Sequence, residues 1–156
     1  MKWEQLAAFL EQEPMIFGGR ISPEALKEIY GQGLAIKLEY NEEIIGFHAL
    51  WPTDHDSCLE EGSIWIKPDW RNLRMGSKLM EEIYRLMPTE KKVFGITHNP
   101  KVVHLMKKHE WREASAEDWS DVIPFEASCG PCDRVTESEK LFCPLRATEE
   151  CRMFFL

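Results

Sequence analysis

No stretch of this sequence stays apolar for long. Runs such as Met153-Phe154-Phe155-Leu156 fall far short of the roughly 18 residues that a membrane-spanning helix needs, so no membrane partner is expected. An apolar leader core is missing too. Met1-Lys2-Trp3-Glu4-Gln5 runs into a segment punctuated by acids, and the expected location is cytoplasmic. Positive charge is scarce, with 19 Lys and Arg against 27 Asp and Glu in 156 residues, a formal net charge of -8. Such a field repels duplex nucleic acid and inclines the chain towards cationic substrates. Neither G-x-G-x-x-G nor G-x-x-x-x-G-K-[ST] occurs, which disfavours a nucleoside triphosphate site. Before Cys129 the only cysteine is Cys58. There is no internal repeat and no low-complexity tract.

The length and a 44% hydrophobic content fit one soluble globular domain with room for a small appendage. Leu6, Phe9 and Leu10 recur at helical spacing over 4–11, and Pro14 should stop that helix. Ser22-Pro23 reads as a cap and first helical residue, with Gly31 and Gly33 closing the second helix. Leu34, Ile36, Leu38 and Tyr40 alternate with Ala35, Lys37 and Glu39, the period of a half-buried strand. Asn41-Glu42-Glu43 then turns the chain into 44–51 as an antiparallel hairpin, ended by Pro52. A third strand is expected over 61–67, with Ile64 and Ile66 on one face and Ser63, Trp65 and Lys67 on the other. The stripe Met75, Leu79, Ile83, Leu86 predicts a helix over 75–87. A strand at 92–97 follows, then a helix after Asn99-Pro100 with Val102, Leu105 and Met106 inward. Beyond Trp111, 119–125 and 151–156 read as further strands. The expected class is α/β (α+β).

The connection between the third strand and the strong helix carries chemistry. A strand delivers the chain to a basic turn, Arg71-Asn72-Leu73-Arg74, which opens directly into a helix at Met75-Gly76-Ser77. Backbone N–H groups and the positive end of the helix dipole converge there, and Gly76 lets an anion approach the backbone closely. A solvated turn is the plain alternative for Arg71 and Arg74.

These residues resemble the acyl-CoA-binding motif of the GNAT superfamily of N-acetyltransferases, [Q/R]-x-x-G-x-[G/A] after a strand and a proline. Arg71, Asn72, Leu73, Arg74, Met75 and Gly76 occupy it in order, with Arg74 at the first glycine. Downstream, Asn99, the helix after it and Trp111 are similar to that superfamily's second cofactor region. Met106 stands where a tyrosine acid is common, and Glu110 where a glycine ends the helix. The resemblance spans about 34–114. It implies a mixed, mainly antiparallel sheet flanked by helices over 1–126, with 127–156 as a cysteine-rich segment packed on the same domain. It also implies acetyl-CoA as donor and a small-molecule or peptide amine as acceptor. The diphosphate would lie on Arg71, Arg74, Gly76 and Ser77, and pantetheine against Asn99 and the backbone of Trp65 and Ile66. An attacking amine must be neutral, so a base is needed near that strand. Glu60 is the first choice, matching a glutamate of histone-modifying members; Glu61 projects to the opposite face. Solvated charge at a strand start is the plain alternative for both, and His98 and His104 read as surface residues.

Cys129-Gly130-Pro131-Cys132, with Cys143 and Cys151 following, can complete a tetrahedral, four-thiolate structural zinc shell. Free or redox-active thiols and an iron–sulfur centre are the other readings. Two functions compete with acyl transfer: a CoA-binding sensor without turnover, and a zinc-stabilised interaction module.

Overall fold

In the computed structural model, which describes residues 2–13, 20–115, 117, 119–132, 134–140, 143–148 and 150–156, the chain divides into two compact units. Residues 1–51 and 62–87 form the first, 52–61 and 88–156 the second. Among the described residues no helix is long and apolar enough to cross a membrane.

The first unit opens with helices α1 (Lys2–Leu10) and α2 (Pro23–Gly31), followed by strands β1 (Ala35–Tyr40) and β2 (Glu43–Pro52). The stop expected at Pro14 lies outside the described residues. Ser22 Oγ accepts from the Ala25 N–H at 3.1 Å, with Pro23 in the first turn, so one orphan donor of α2 is satisfied where the sequence signals it. Gly33, at φ +74°, turns the chain into β1 through a conformation that costs glycine nothing. β1 and β2 pair antiparallel, and the register slips between Leu38 and Glu39. Asn41 and Glu42 both have positive φ, 47° and 64°, the twist that a two-residue hairpin turn requires. Leu6 and Leu10 of α1 and Leu26 and Ile29 of α2 bury their faces against Ala35, Ile44, Phe47, Ala49, Trp51 and Trp65. The helix α3 (Met75–Tyr84) stops short of Met87. Its last amides turn to i−3 carbonyls, Leu86 N–H to Ile83 O and Met87 N–H to Tyr84 O, which tightens the final turn.

Strand β3 (Cys58–Ile66) begins in the second unit and ends in the first. It starts at Cys58, not Glu61, because Cys58 and Leu59 are buried and pair in parallel with β4 (Lys92–Thr97), from Cys58↔Lys92 to Glu61↔Gly95. Helix α4 (Pro100–Lys108) follows, burying Val103, not Val102, beside Met106. The unit is completed by β5 (Arg112–Ala114), the short helices α5 (Trp119–Val122) and α6 (Pro144–Ala147), and β6 (Arg152–Phe155). β6 pairs antiparallel with both β4 and β5, and Arg152 grips Glu113 with two bonds of 2.6 and 2.8 Å. The strand expected over 119–125 is not formed: 119–122 is a short helix and the chain turns after it. Trp119, Ile123 and Ala127 recur every fourth residue and are buried together with Phe94, a helical pattern and not an alternating one. The strand expected near the C-terminus is present as β6. The six-stranded sheet has the order β1-β2-β3-β4-β6-β5, a mixed sheet flanked by helices as expected.

Candidate functional site

In the first unit β3 leads through a 3-10 turn, Pro68–Trp70, to the basic loop and α3. Arg71 does not simply present its charge. Its Nε donates to the Ile66 carbonyl at 2.9 Å and its Nη2 to Glu13 Oε1 at 3.0 Å, so the guanidinium folds the loop back onto the end of β3. Asn72, Leu73 and Arg74 are exposed, and Met75, Gly76 and Ser77 are half-buried. The first bond of α3 is Lys78 N–H to Arg74 O, and Arg74 supplies no side-chain cap. The Met75 and Gly76 amides therefore precede the hydrogen-bonded ladder at the positive end of the helix. Trp65 is a core residue. It is 3% exposed, and its ring stacks on Phe9 with centroids 5.2 Å apart.

Both departures from the glycine pattern keep the backbone that glycine would adopt. Arg74 lies at φ 61° and Glu110 at φ 65°, in the left-handed region. Around Glu110 the Trp111 N–H bonds Met106 O and the Glu110 N–H bonds Lys107 O, the paired closure that ends many helices at a glycine. A left-handed residue with a Cβ costs about 1–2 kcal/mol, and the freedom of glycine in the unfolded chain offsets up to about 1 kcal/mol. Glu110→Gly is thus expected to raise stability by up to about 1 kcal/mol, lifting Tm by roughly 2–4 °C. Thermal unfolding reads it, and a lowered Tm contradicts it.

In the second unit Glu60 and Glu61 are not solvated charges: they are 7% and 4% exposed. Ladder partners share a face of the sheet, so Glu60 lies on the side of Phe94 and Glu61 on the side of Gly95. Asn99 caps α4. Its Oδ1 accepts from the Lys101 N–H at 3.0 Å, and its own N–H donates to Thr97 Oγ1 at 3.1 Å. The cap uses only Oδ1 of that side chain. His98 and His104 are exposed. Within β3, Ser63 has φ 57°, and its Oγ accepts from Trp51 Nε1 at 3.1 Å. A left-handed residue there breaks the alternation of the strand and re-aims its backbone. Gly62 beside it is the signal that could have marked the break.

The structure gives no support to the zinc shell expected at Cys129, Cys132, Cys143 and Cys151. Among the described residues no group of three or more His, Cys, Asp or Glu side chains is placed to hold a metal ion, and all five cysteines are free thiols. Cys129 lies in the apolar cluster around Phe94 and Trp119, with Cys151 packed against the same cluster. Within the polar segment Lys140 is 3% exposed, and its ammonium donates to the Gly130 carbonyl at 2.6 Å and to Glu137. Burial pushes the Cys129 thiol up, and pushes Cys151 up to about 11 against the pull of Arg134, with the neighbouring thiols of Cys132, Cys143 and Cys129 adding to the rise at Cys151. Because the thiolate is the nucleophile, alkylation of Cys151 in the native protein is expected to accelerate about tenfold per pH unit from 7 towards 11. Mass spectrometry of the labelled chain checks this, and a plateau near pH 9 contradicts it.

The family model described as Acetyltransferase (GNAT) family matches residues 3–111, well over half of the sequence, and the chain belongs to that family. No curated protein matches. Among solved structures, an acetyltransferase of the GNAT family from Staphylococcus aureus Mu50 is similar at 12% identity and TM-score 0.62, covering 99% of this chain and 89% of that one. Ribosomal-protein-alanine N-acetyltransferase from Brucella melitensis is similar at 14% identity and TM-score 0.59, covering 72% and 80%. N-acetylglutamate synthase from Neisseria gonorrhoeae, complexed with coenzyme A and N-acetyl-glutamate, is similar at 14% identity and TM-score 0.56; 98% of this chain spans only 31% of that one. At such identities the likeness is one of fold.

Proposed function

We propose that the chain is an N-acetyltransferase that moves an acetyl group from acetyl-CoA to the amine of a small molecule or peptide, by direct attack in a ternary complex. Arg71, Arg74, Gly76 and Ser77 hold the diphosphate. The backbone of Trp65 and Ile66 lies along pantetheine, with Asn99 contributing its side-chain amide, and a carboxylate of the Glu60-Glu61 pair takes the proton of the amine. The observation that carries this reading is the turn into α3. Two left-handed residues, Asn72 at φ 65° and Arg74 at φ 61°, lead a basic loop into a helix start without a side-chain cap, the arrangement that backbone binding of phosphates exploits. Its position inside the matched family region supports the same reading.

Calorimetry with acetyl-CoA and desulfo-CoA tests the binding, and amine-dependent release of free thiol tests the turnover. Binding of neither ligand refutes the proposal. Met106, a fully buried thioether with no proton to give, favours a second reading in which coenzyme A binds without transfer. Binding without thiol release from any amine in a broad panel selects that reading.

A further inference from the structure

Arg20, just ahead of α2, is half-buried, and its guanidinium is held from two sides. The guanidinium carbon stands 5.3 Å from the centre of the Trp51 ring, within the range at which an aromatic face attracts a cation. Trp51 is itself fixed, being 7% exposed and donating from Nε1 to Ser63 Oγ at 3.1 Å. The second side is Gly62. A Cβ built there would meet Arg20 Nη1 and Trp51 Cδ1, each at 3.5 Å, so a methyl fits and a longer side chain pointing that way would run into the guanidinium. Position 62 thus brings a cation against the bare backbone of β3, one residue before the left-handed break at Ser63. All of these residues belong to the first unit, as does the loop 71–77.

The acyltransferase reading, on which this rests, lays the diphosphate on that loop and pantetheine along Ile66 and Trp65. A chain leaving the diphosphate in that direction continues along β3 towards Gly62, about 3.3 Å per residue, and its far end is the thioester. Arg20 then stands where the acceptor meets the acyl group. A positive charge there repels an ammonium and attracts an anion. A guanidinium offers five N–H donors in a planar fork, so two can meet a carboxylate while the others keep their present partners. We infer that Arg20 determines specificity by binding a carboxylate of the acceptor, which is a small amine carrying its own carboxylate, an amino acid and not a polyamine. The net charge of -8 does not oppose this, because a contact at hydrogen-bond distance is screened far less than a field spread over the surface. In the transfer the acceptor's ammonium first gives one proton to a base. Its nitrogen forms the C–N bond to the thioester carbon, and the C–S bond breaks with its electron pair going to sulfur. The second proton passes to the thiolate, giving the amide and free coenzyme A with the carboxylate unchanged.

The test compares amino acids with their amides, which keep the amine and lose the negative charge, by amine-dependent thiol release in the wild type, Arg20→Ala and Arg20→Lys. A charge-assisted hydrogen bond to a carboxylate is worth roughly 10–100-fold. We expect the best amino acid to exceed its amide at least tenfold in kcat/KM, mainly through KM, and that ratio to fall within about twofold of unity in Arg20→Ala. Arg20→Lys keeps the cation without the fork, so part of the preference should return. An amide used as well as its acid by the wild type, a preference that survives in Arg20→Ala, or a lysine variant no more selective than the alanine one overturns the proposal. A second readout does not need turnover. Saturation-transfer NMR of the standard amino acids, on protein loaded with coenzyme A, is expected to show binding in the wild type that Arg20→Ala abolishes. Binding of none, or binding that persists in Arg20→Ala, overturns the carboxylate site. Binding abolished by Arg20→Ala, with no thiol release from any amine, overturns acyl transfer and supports the carboxylate site.

Discussion

Replacing both Arg71 and Arg74 by alanine is expected to weaken coenzyme A binding about 100-fold, equivalent to about 2.7 kcal/mol. Charge-assisted hydrogen bonds to phosphate contribute roughly 1.5–3 kcal/mol each where they are held in place, but the two arginines act differently. Arg74 is exposed, so its share is a field effect that salt screens. The loss in Arg74→Ala alone should largely vanish near 1 M salt, where the Debye length is about 3 Å. Arg71 is tied to the Ile66 carbonyl and to Glu13, and its removal frees the loop from β3. The loss in Arg71→Ala should therefore survive high salt. Calorimetric titration of the two single variants and the double variant at low and high salt reads all of this. Coenzyme A affinity unchanged in the double variant removes the diphosphate assignment and the acetyltransferase proposal with it.

What the sequence made legible was local. Ser22-Pro23, the alternation from Leu34 to Tyr40 and the Asn41-Glu42 turn specify their elements through neighbours a few residues away, and each element stands in the structure, although within the strand Ala35 is the buried residue and Tyr40 is exposed, the reverse of the expected faces. The basic turn was legible for the same reason, since strand, proline, arginine and glycine fall within one short segment. The burial of Glu60 and Glu61 was not. Acidic residues at a strand start are usually solvated, and only the pairing of Cys58 and Leu59 with β4 carries them inside. That pairing joins residues more than thirty positions apart, a separation at which a single sequence offers no periodic signal. The chain from Trp119 onward was misread because the apolar run Val122-Ile123-Pro124-Phe125 masks the fourfold spacing of Trp119, Ile123 and Ala127 that marks the buried face. The cysteines show a further limit: spacing suggests which thiols could meet, and Cys129, Cys132, Cys143 and Cys151 do come close enough to influence one another's titration, but spacing alone does not place them as a metal shell. Arg74 and Glu110 invert the lesson. Read as letters, they are lost glycines; read as backbone, both positions retain positive φ, because a cost of about 1–2 kcal/mol per residue is small against the packing that imposes the turn.

Phe94→Ala is expected to cost about 3–5 kcal/mol of stability, the range for removing a buried aromatic ring. The ring is fully buried, and it sits on β4 between two ladders, paired with Glu60 of β3 on one side and Phe155 of β6 on the other. Neither neighbouring strand can close the gap without giving up its register, so the site collapses little and the cavity persists. At roughly 2–4 °C per kcal/mol for a chain of this size, Tm should fall by about 10 °C, with the denaturant midpoint falling and the slope unchanged. A loss below about 1 kcal/mol would mean that the cluster repacks, against the density expected of such a core. The contrast with the next residue is the informative part. Side chains alternate along β4, so Phe94 supports the face of Trp119 and Ile123 while the space at Gly95 on the other face is filled by Glu61 and Met106. Phe94→Ala should therefore destabilise the fold while leaving coenzyme A affinity intact well below the new Tm. Gly95→Ala should instead cost about 1–3 kcal/mol by overpacking, because its methyl would press on two buried side chains, Glu61 and Met106.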